Sequence, residues 1–398
     1  MPTGDDLLQR FRRFQERAVL SAPAPPAVQP IASGWEEHAN PIGVVYVRQE
    51  VRSLTVAPDL DPTWVRRLSG LNLGPPTGWL FFDLETTGLS GGAGTRAFLV
   101  GVGRFTGDGF AITQWLLPDL DQEPALLWEV RQAFTQAAAI VSFNGRSYDG
   151  PLLRDRLLLV AMNPLPPLPH WDLLHPARRL WSRTVTAGCT LRRLEETVLG
   201  HPRLDDIPGE WIPSLYQCYL QGDPSAIAPV TRHNAQDLWA LAALTIGFVQ
   251  TLTEGPRADS STQLLWGLAQ SYERAKLPER ALACYLACRD RADATTARHA
   301  LLAATRLLKR LGRGEEALPL WEEARRGPFG SVDAAIELAK HLEHRQNDPA
   351  AALEVVRETS GRSWIGPAHR ADLERRGARL ERRLQARGDQ RGGASPRL

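Results

Sequence analysis

Short apolar runs and polar breaks alternate through the first third of the chain. Two apolar runs, at residues 78–83 and 139–144, each end at a polar side chain. Two further, mostly apolar segments, at residues 98–105 and 111–117, are separated by turn residues. Segments of this length between turns predict β-strands. Residues 43–48 alternate between apolar and polar positions, which predicts a further strand. We expect the strands between residues 78 and 117 to form a meander.

Helical periodicity appears between these runs and dominates the chain after them. It covers residues 122–137 first, which predicts a crossover helix and therefore a parallel strand at 139–144. Further helices are predicted over residues 148–160, 171–182, 190–199, 209–221 and 225–252. The combination predicts an α/β domain over residues 41–255, in which a mixed sheet is flanked by helices.

An internal repeat follows over residues 260–360. Similar segments centred on Ala281, Ala317 and Ala352 recur at intervals of 36 and 35 residues, each after an apolar helix and a turn. Paired helices with a period of about 34 residues are the signature of tetratricopeptide repeats. The sequence therefore predicts an all-α, tetratricopeptide-like domain that recruits a protein partner, and helical hairpins without a function of their own remain the alternative.

The two ends of the chain have biased compositions. Residues 1–40 contain an amphipathic segment, Leu7–Val19, followed by a proline-rich linker. Residues 361–398 contain ten arginines and four acids, although the net charge of the whole chain is only +2. We expect this basic tail to form an arginine-rich helix with a disordered end from Gly388, and to bind nucleic acid by counterion release. Across the whole chain arginine far outnumbers lysine, which a genomic preference for arginine codons explains, with phosphate contacts through the planar guanidinium as the alternative.

The composition excludes several classes of protein. The chain is 43% hydrophobic and 23% charged, as in globular proteins. No apolar run reaches the roughly 18 residues of a membrane span. The first residues lack the apolar segment of a secretory signal, and the four cysteines lack the spacing of metal ligands. We therefore expect a cytoplasmic protein without a membrane partner.

Two acids end the first apolar run. Asp83 and Glu85 are two residues apart, so both carboxylates project to the same side of the predicted strand. Carboxylates in this position repel each other and reduce stability unless cations lie between them. Solvated acids at the end of a strand are the alternative.

Two further acids lie in apolar surroundings. Asp149 begins the helix predicted over residues 148–160, where it is also a candidate N-cap. Asp237 lies inside the helix predicted over residues 225–252 and shares a helix face with His233, four residues earlier. Each acid alone has a structural explanation, and it is the combination of the four that predicts a site.

The segments that carry these acids resemble the three motifs of the DEDD exonuclease superfamily. They are Phe82–Gly88, Asn144–Asp149 and His233–Asp237, within a resemblance that covers residues 78–254. One subclass of the superfamily has a histidine five residues before the last acid, and the other has a tyrosine four residues before it. This chain has a histidine at the four-residue spacing.

A second resemblance covers the repeats as well. The segments Gly91–Gly101, Asp172–Trp181 and Asp205–Gly209 are similar to the YprB-like bacterial group, which combines this nuclease domain with tetratricopeptide repeats. The resemblances imply a ribonuclease-H-like fold with a mixed sheet, followed by the helical repeat domain.

The resemblance also implies a mechanism that uses two Mg²⁺ or Mn²⁺ ions to hydrolyse phosphodiester bonds. Asp83 would bridge both ions. Glu85 and Asp237 would complete the sphere of the ion on the nucleophile side, and Asp149 would hold the ion on the leaving-group side. His233 would take the proton of the attacking water as a general base.

The implied activity is that of a 3′–5′ exonuclease on single-stranded DNA or RNA. Thr87 and Gly88 would contact the terminal nucleotide, and Asn144 and Tyr148 would position a sugar or base, with core packing as the alternative for Tyr148. A structure-specific ribonuclease or endonuclease on the same fold, and a repeat-based scaffold with a residual nuclease site, remain alternatives. The choice between DNA and RNA stays open.

Other polar residues are expected at the edge of the site or away from it. Asp172 and His175 lie at the start of the helix predicted over residues 171–182, and we expect Asp172 to cap it. Asp205 and Asp206 are expected to form a surface turn. The loop Gly91–Thr95 lacks the lysine of a phosphate-binding P-loop and is expected to be a flexible turn.

Overall fold

The chain divides into two compact units, Met1–Gly255 and Pro256–Leu398. The computed structural model describes residues 32–54, 60–88, 94–182, 188–326 and 330–392, with the side chains of the last helix described up to Arg387. The predicted segment Leu7–Val19, its linker, most of the Gly91–Thr95 turn and residues 393–398 lie outside the described residues.

A mixed sheet forms the centre of the first unit, as the sequence predicts. Its strands in the described residues are β1 (Glu36–Ala39), β2 (Val44–Arg52), β3 (Trp79–Thr86), β4 (Ala97–Thr106), β5 (Gly109–Leu116), β6 (Ala139–Ser142) and β7 (His170–Asp172). Their order across the sheet is β1-β2-β5-β4-β3-β6-β7. The neighbours from β1 to β3 are antiparallel, whereas β6 is parallel to both β3 and β7.

Strand β3 lies in the interior of this sheet, between β4 and β6. Its residues Leu80 and Phe81 are both fully buried, although successive side chains point to opposite faces. A strand that is covered on both faces needs apolar residues at successive positions, which explains the unbroken run before Asp83. The first acid of the strand therefore lies inside the sheet, where the apolar run ends.

Helices cover both faces of the sheet. The first unit contains α1 (Thr63–Ser69), α2 (Glu123–Thr135), α3 (Asp149–Leu159), α4 (Leu174–Trp181), α5 (Leu191–Val198), α6 (Ile212–Leu220) and α7 (Ile227–Glu254). On one face, Phe82 contacts Phe134 of α2, with 5.3 Å between the ring centroids. The long helix α7 packs against β3, β4 and β5, and its Phe248 lies 5.8 Å from Trp171 of β7.

Three elements differ from the sequence prediction. The helix predicted over residues 171–182 begins only at Leu174, because His170–Asp172 forms strand β7. In this strand Trp171 pairs with Val141 of β6, so hydrogen bonding to a distant strand overrides the local helical pattern. The sequence prediction also missed α1 and β1. The four residues of β1 are all exposed and carry no apolar pattern.

The second unit is all-α in its described residues, as predicted. Its helices are α8 (Thr262–Arg274), α9 (Pro278–Arg291), α10 (Ala294–Arg310), α11 (Gly314–Arg325), α12 (Val332–His344), α13 (Pro349–Ser360) and α14 (Pro367–Gly392). Each helix packs against the next along the chain. The last helix continues beyond Gly388, where we expected order to end. Among the residues that the structure describes, none of the helices combines the length and apolar character of a membrane span.

Candidate active site

Strand β3 presents Asp83 and Glu85 from one face, as their spacing predicts. The amide Nδ2 of Asn234, on α7, donates a hydrogen bond to Oδ2 of Asp83 at 2.8 Å. Glu85 is buried, and a register shift follows it before Thr86. The acids are therefore covered by α7 instead of ending a strand in solvent.

Asp149 occupies the first turn of α3. The N-cap position belongs to Tyr148, whose side chain makes no capping bond, so Asp149 does not act as the N-cap. The loop before the helix passes close to this carboxylate. A Cβ atom added at Gly145 would lie only 3.1 Å from Oδ2 of Asp149. A buried acid without a capping role fits a functional position.

Asp172 holds the loop that leads to Asp149. Its carboxylate accepts the backbone N–H of Asn144 at 2.8 Å and that of Arg146 at 3.1 Å. It also accepts the N–H of Leu174 at 3.0 Å, but the N-cap position of α4 belongs to Leu173, and Asp172 itself ends strand β7. These bonds support Asn144 in a left-handed conformation with φ of 68°. His175 is exposed on α4.

Helix α7 supplies His233 and Asp237 on one face. The Nε2 atom of His233 lies 3.5 Å from Oδ2 of Asp237, and the other oxygen of Asp237 is ion-paired with Arg203. Arg203 also binds Glu195 at 2.6 Å. The last acid of the set is therefore linked to a buried network that the motifs did not reveal.

Asp206 belongs to this network, and the expected surface turn is wrong for it. Asp205 is exposed, but the side chain of Asp206 is only 6% exposed and its Oδ1 lies 2.7 Å from Nδ1 of His233. Asp205 has a φ of 61°, and this left-handed backbone separates the two neighbouring side chains. The resemblance of Asp205–Gly209 to the YprB-like group marked this segment, but no local pattern revealed the contact, because His233 lies 27 residues further along the chain.

Several other residues of the site also escaped the sequence analysis. Asn234 lies inside the third motif, directly after His233, and that position was the only signal for it. Gln236 accepts a hydrogen bond from Arg52 of β2 at 2.8 Å and donates one to Glu195. These contacts join residues that are far apart in the chain, so no periodicity or spacing could have revealed them.

The acids raise one another's pKa. Burial, and then the charges of Asp237 and Asp149, raise the pKa of Asp83 well above its usual range. Burial and the charge of Asp83 have the same effect on the pKa of Glu85. Burial and the charge of Asp172 raise the pKa of Asp149 to about 7. Carboxylates that oppose one another's ionisation in a buried place favour the binding of a cation.

The donor set can be compared with what a divalent cation requires. As the side chains stand, the described part of the chain contains no ready-made group of three or more His, Cys, Asp or Glu residues for a metal ion. The protein's own groups hold two of the four acids, since Asn234 binds Asp83 and Arg203 binds Asp237. The chemistry of the set nevertheless fits Mg²⁺ or Mn²⁺, because these cations prefer carboxylate oxygens. A cation would compete with Arg203 for Asp237.

The four residues predicted to bind substrate lie on two loops that contact each other. The hydroxyl of Tyr148 donates a hydrogen bond to the carbonyl of Gly88 at 3.2 Å. Tyr148 is half-buried and Asn144 is exposed, so core packing does not account for either side chain. Thr87 donates its N–H to the carbonyl of Arg96 at 2.9 Å, and this group is therefore already used by the sheet.

Comparisons with known proteins place these observations in a family. The sequence model of the RNase_H superfamily matches residues 80–248. The chain is 33% identical over 315 residues to the uncharacterized protein YprB of Bacillus subtilis (strain 168), across 77% of this chain and 75% of that protein. Among solved structures, it is similar to the family B DNA polymerase from the hyperthermophilic archaeon Pyrobaculum calidifontis, with 14% identity and a TM-score of 0.37. That similarity covers 61% of this chain and 34% of the polymerase chain, so this chain spans about a third of the polymerase's length.

Proposed function

Because this chain belongs to the YprB family, within the ribonuclease-H-like superfamily of nucleases, we propose that it is a metal-dependent 3′–5′ exonuclease that acts on single-stranded DNA or RNA. One observation carries the proposal. Three separate elements bring acids that are buried (Glu85 and Asp149) or half-buried (Asp83 and Asp237) within electrostatic range of one another: these elements are β3, α3 and α7. Such a cluster is costly to bury, and the binding of cations offsets that cost.

The proposed role of the four acids is to hold two Mg²⁺ or Mn²⁺ ions. Bound ions of this kind supply positive charge at the phosphate and lower the barrier to its hydrolysis. The carboxylates themselves repel an anionic backbone, so substrate binding at this place depends on the cations. Activity should therefore disappear when a chelator removes the metal.

His233 is the proposed general base. Burial alone would lower the pKa of His233, but the hydrogen bond with Asp206 and the charge of Asp237 outweigh it and raise the pKa above its ordinary value. The shift brings the pKa of His233 towards neutral pH, and a base with a pKa in that range both accepts and releases a proton readily. The position of Nε2 beside Asp237 supports this role, since the attacking water must be held near the acids.

Tyr148, Asn144 and the turn at Thr87–Gly88 are the proposed contacts to the terminal nucleotide. The hydrogen bond from Tyr148 to Gly88 joins the two loops beside the acids. An aromatic ring in this position can stack on a base without selecting a sequence. We propose no preference between DNA and RNA from these residues, because that choice depends on contacts to the 2′-hydroxyl.

The first experiment compares Asp83→Asn with Asp108→Asn. The control removes one carboxylate of the same kind from the exposed turn between β4 and β5. With a labelled oligonucleotide and Mn²⁺, we expect Asp83→Asn to lose at least about 100-fold in rate and the control to keep the wild-type rate. Calorimetric titration with Mn²⁺ should show weaker binding in Asp83→Asn only. Full activity in Asp83→Asn, or wild-type activity in excess chelator, would contradict the proposal.

A second experiment tests the mode of cleavage. Linear single strands with a free or a blocked 3′ end, and a circular single strand, are incubated with the wild-type protein and Mn²⁺. A 3′–5′ exonuclease shortens only the strand with the free 3′ end and leaves the circle intact. Internal products from the circle would replace this proposal with an endonuclease on the same site.

A further inference from the structure

His233 has different partners at its two ring nitrogens. Nδ1 lies 2.7 Å from Oδ1 of Asp206, whereas Nε2 lies 3.5 Å from Oδ2 of Asp237. The first distance is that of a short hydrogen bond, and the second is too long for one of similar strength. The imidazole is therefore held through Nδ1 and presents Nε2 to the acid cluster.

Asp206 is itself fixed by two further donors. Its Oδ2 accepts a hydrogen bond from Nη1 of Arg203 at 3.2 Å, and its Oδ1 accepts the backbone N–H of Ile207 at 3.0 Å. Arg203 is anchored in turn by Glu195 at 2.6 Å and by Asp237. The side chains of Arg203, Asp206 and Glu195 are 4%, 6% and 1% exposed, so water competes little with these bonds.

This arrangement decides which nitrogen of the neutral ring carries the hydrogen. A carboxylate only accepts hydrogen bonds, and an unprotonated Nδ1 at 2.7 Å would place two lone pairs against each other. Nδ1 therefore carries the hydrogen, and Nε2 keeps its lone pair. A neutral imidazole can take a proton at Nε2 only in this tautomer.

We propose that Asp206, fixed by Arg203, is a positioning residue that holds His233 in the Nδ1–H tautomer and directs Nε2 at the attacking water. This inference rests on the proposed nuclease function. Nε2 takes one proton from the water while the water oxygen bonds to phosphorus and the bond from phosphorus to the leaving oxygen breaks. The leaving oxygen keeps the electron pair and takes a proton from the solvent, and the imidazolium later returns its own proton to the solvent. Asp206 stays ionised throughout.

The experiment compares Asp206→Asn with Asp205→Asn in the full chain. An asparagine has one acceptor oxygen and one amide donor, so it cannot accept from His233, Ile207 and Arg203 together. Its amide can donate to Nδ1 of His233, which favours the opposite tautomer. Asp205→Asn makes the same charge change one residue away at an exposed position, and asparagine tolerates the left-handed φ of 61° there.

The kinetic result should separate positioning from binding. For Mn²⁺-dependent cleavage, we expect kcat of Asp206→Asn to fall roughly 100-fold, while KM and the Mn²⁺ dissociation constant stay within about two-fold of wild type. Asp205→Asn should behave as wild type. An unchanged kcat in Asp206→Asn, or a loss that appears in KM or in Mn²⁺ affinity instead, overturns the inference.

A spectroscopic measurement on the same proteins does not depend on turnover. Nitrogen-15 NMR of histidine-labelled protein, with the His233 signals assigned by their loss in His233→Gln, reports which ring nitrogen carries the hydrogen. We expect Nδ1–H in the wild type and a shift towards Nε2–H in Asp206→Asn. A wild-type ring in the Nε2–H form overturns the inference even if the variant does not fold. An Nδ1–H ring in a protein without nuclease activity contradicts the proposed function and leaves the tautomer assignment standing.

Discussion

Neighbouring residues of this chain experience very different electrostatic surroundings. Asp205 is exposed to solvent, while the next side chain is enclosed by cationic and polar groups. Burial alone would raise the pKa of Asp206, yet the hydrogen bond and charge of His233, together with Arg203, lower it to about 2. The chemistry of an aspartate here depends on its partners more than on its burial.

For His170, in contrast to Asp206, the effect of burial on the pKa outweighs that of the neighbouring charges. Its Nε2 lies 2.7 Å from Oγ of Ser142 on the neighbouring strand. Burial lowers the pKa of His170 to about 4, although the charge of Asp172 acts in the other direction. The folded protein therefore keeps this ring neutral at pH values where the unfolded chain, with an ordinary pKa of about 6.5, gains a proton.

Replacing His170 with glutamine should remove part of the acid sensitivity of the first unit. Because the folded pKa lies below the unfolded one, the stabilisation is complete above about pH 6.5 and is lost as the pH falls towards the folded pKa. Between pH 7 and pH 5, we expect the free energy of unfolding to fall about 1 kcal/mol further in wild type than in His170→Gln, after allowance for partial exposure. Urea denaturation at each pH measures the difference, and equal losses in the two proteins would refute this assignment.

At the scale of elements, a close approach between β4 and α7 brings the third motif to the first. A Cβ atom added at Gly101 would lie 2.1 Å from Oδ1 of Asn234 and 2.7 Å from Cδ1 of Leu238. The same Asn234 side chain donates to Asp83 at 2.8 Å and accepts from Gln114 at 2.9 Å. The missing side chain at position 101 therefore allows α7 to reach the sheet and place Asn234 on the acid.

Gly101→Ala should consequently disturb both stability and the site. We expect the free energy of unfolding to fall by about 1–3 kcal/mol, because the added methyl group pushes α7 away from β4. Mn²⁺ affinity should fall as well. Gly107→Ala is the matched control, since its Cβ would meet nothing within 4 Å. Thermal denaturation and Mn²⁺ calorimetry measure the two effects, and a Gly101→Ala protein as stable as the control would show that the contact is not tight.

At the scale of the whole molecule, the predicted basic tail is largely a structural part of the second unit. Helix α14 buries Leu373 and Leu380 completely. Its ion pairs with the buried Glu343 of α12 are made by Arg376, Arg379 and Arg383. These arginines are held by contacts within the unit, so the tail is not free, but a single carboxylate offsets only one of their three positive charges. Deleting residues 361–398 would remove a packed helix together with the charge.

Glu343→Gln should therefore destabilise the second unit alone. The substitution leaves several arginines around a position that has lost its negative charge. We expect the free energy of unfolding to fall by roughly 2 kcal/mol. The loss is not larger because some of these arginines remain in contact with water. Glu374→Gln, at an exposed position of α14, is the control. Hydrogen exchange should increase over residues 332–392 and stay unchanged over 79–142. Faster exchange in both ranges, or in neither, would be incompatible with this role.

The helices of the second unit also carry a periodic set of small buried residues. Ala281, Ala317 and Ala352 lie on α9, α11 and α13 and are all fully buried. Small residues at the same register let successive helices approach closely, which favours regular hairpins. We propose that these hairpins are tetratricopeptide-like repeats that recruit a protein partner.

Local sequence patterns determined much of the architecture. The apolar runs identified strands β2 to β6, and helical periodicity identified most helices, because the burial of one face is recorded in the residues of the element itself. The motif acids Asp83, Glu85, Asp149 and Asp237 could also be selected from sequence, because the segments that carry them resemble the motifs of one nuclease superfamily. Strand β7 and the edge strand β1 could not be found in this way, because their pairing depends on a neighbouring strand and not on their own pattern.

Only the tertiary structure decided what surrounds the acids. Arg203 meets Asp237 from 34 residues away, and Asp206 meets His233 from 27 residues away. Periodicity states which side of an element is buried, but it does not state which distant residue lies opposite. The sequence by itself therefore determined the candidate metal ligands and the base. The folded chain determined their burial, their mutual repulsion and the hydrogen bond that orients His233, because these depend on distances that only packing creates.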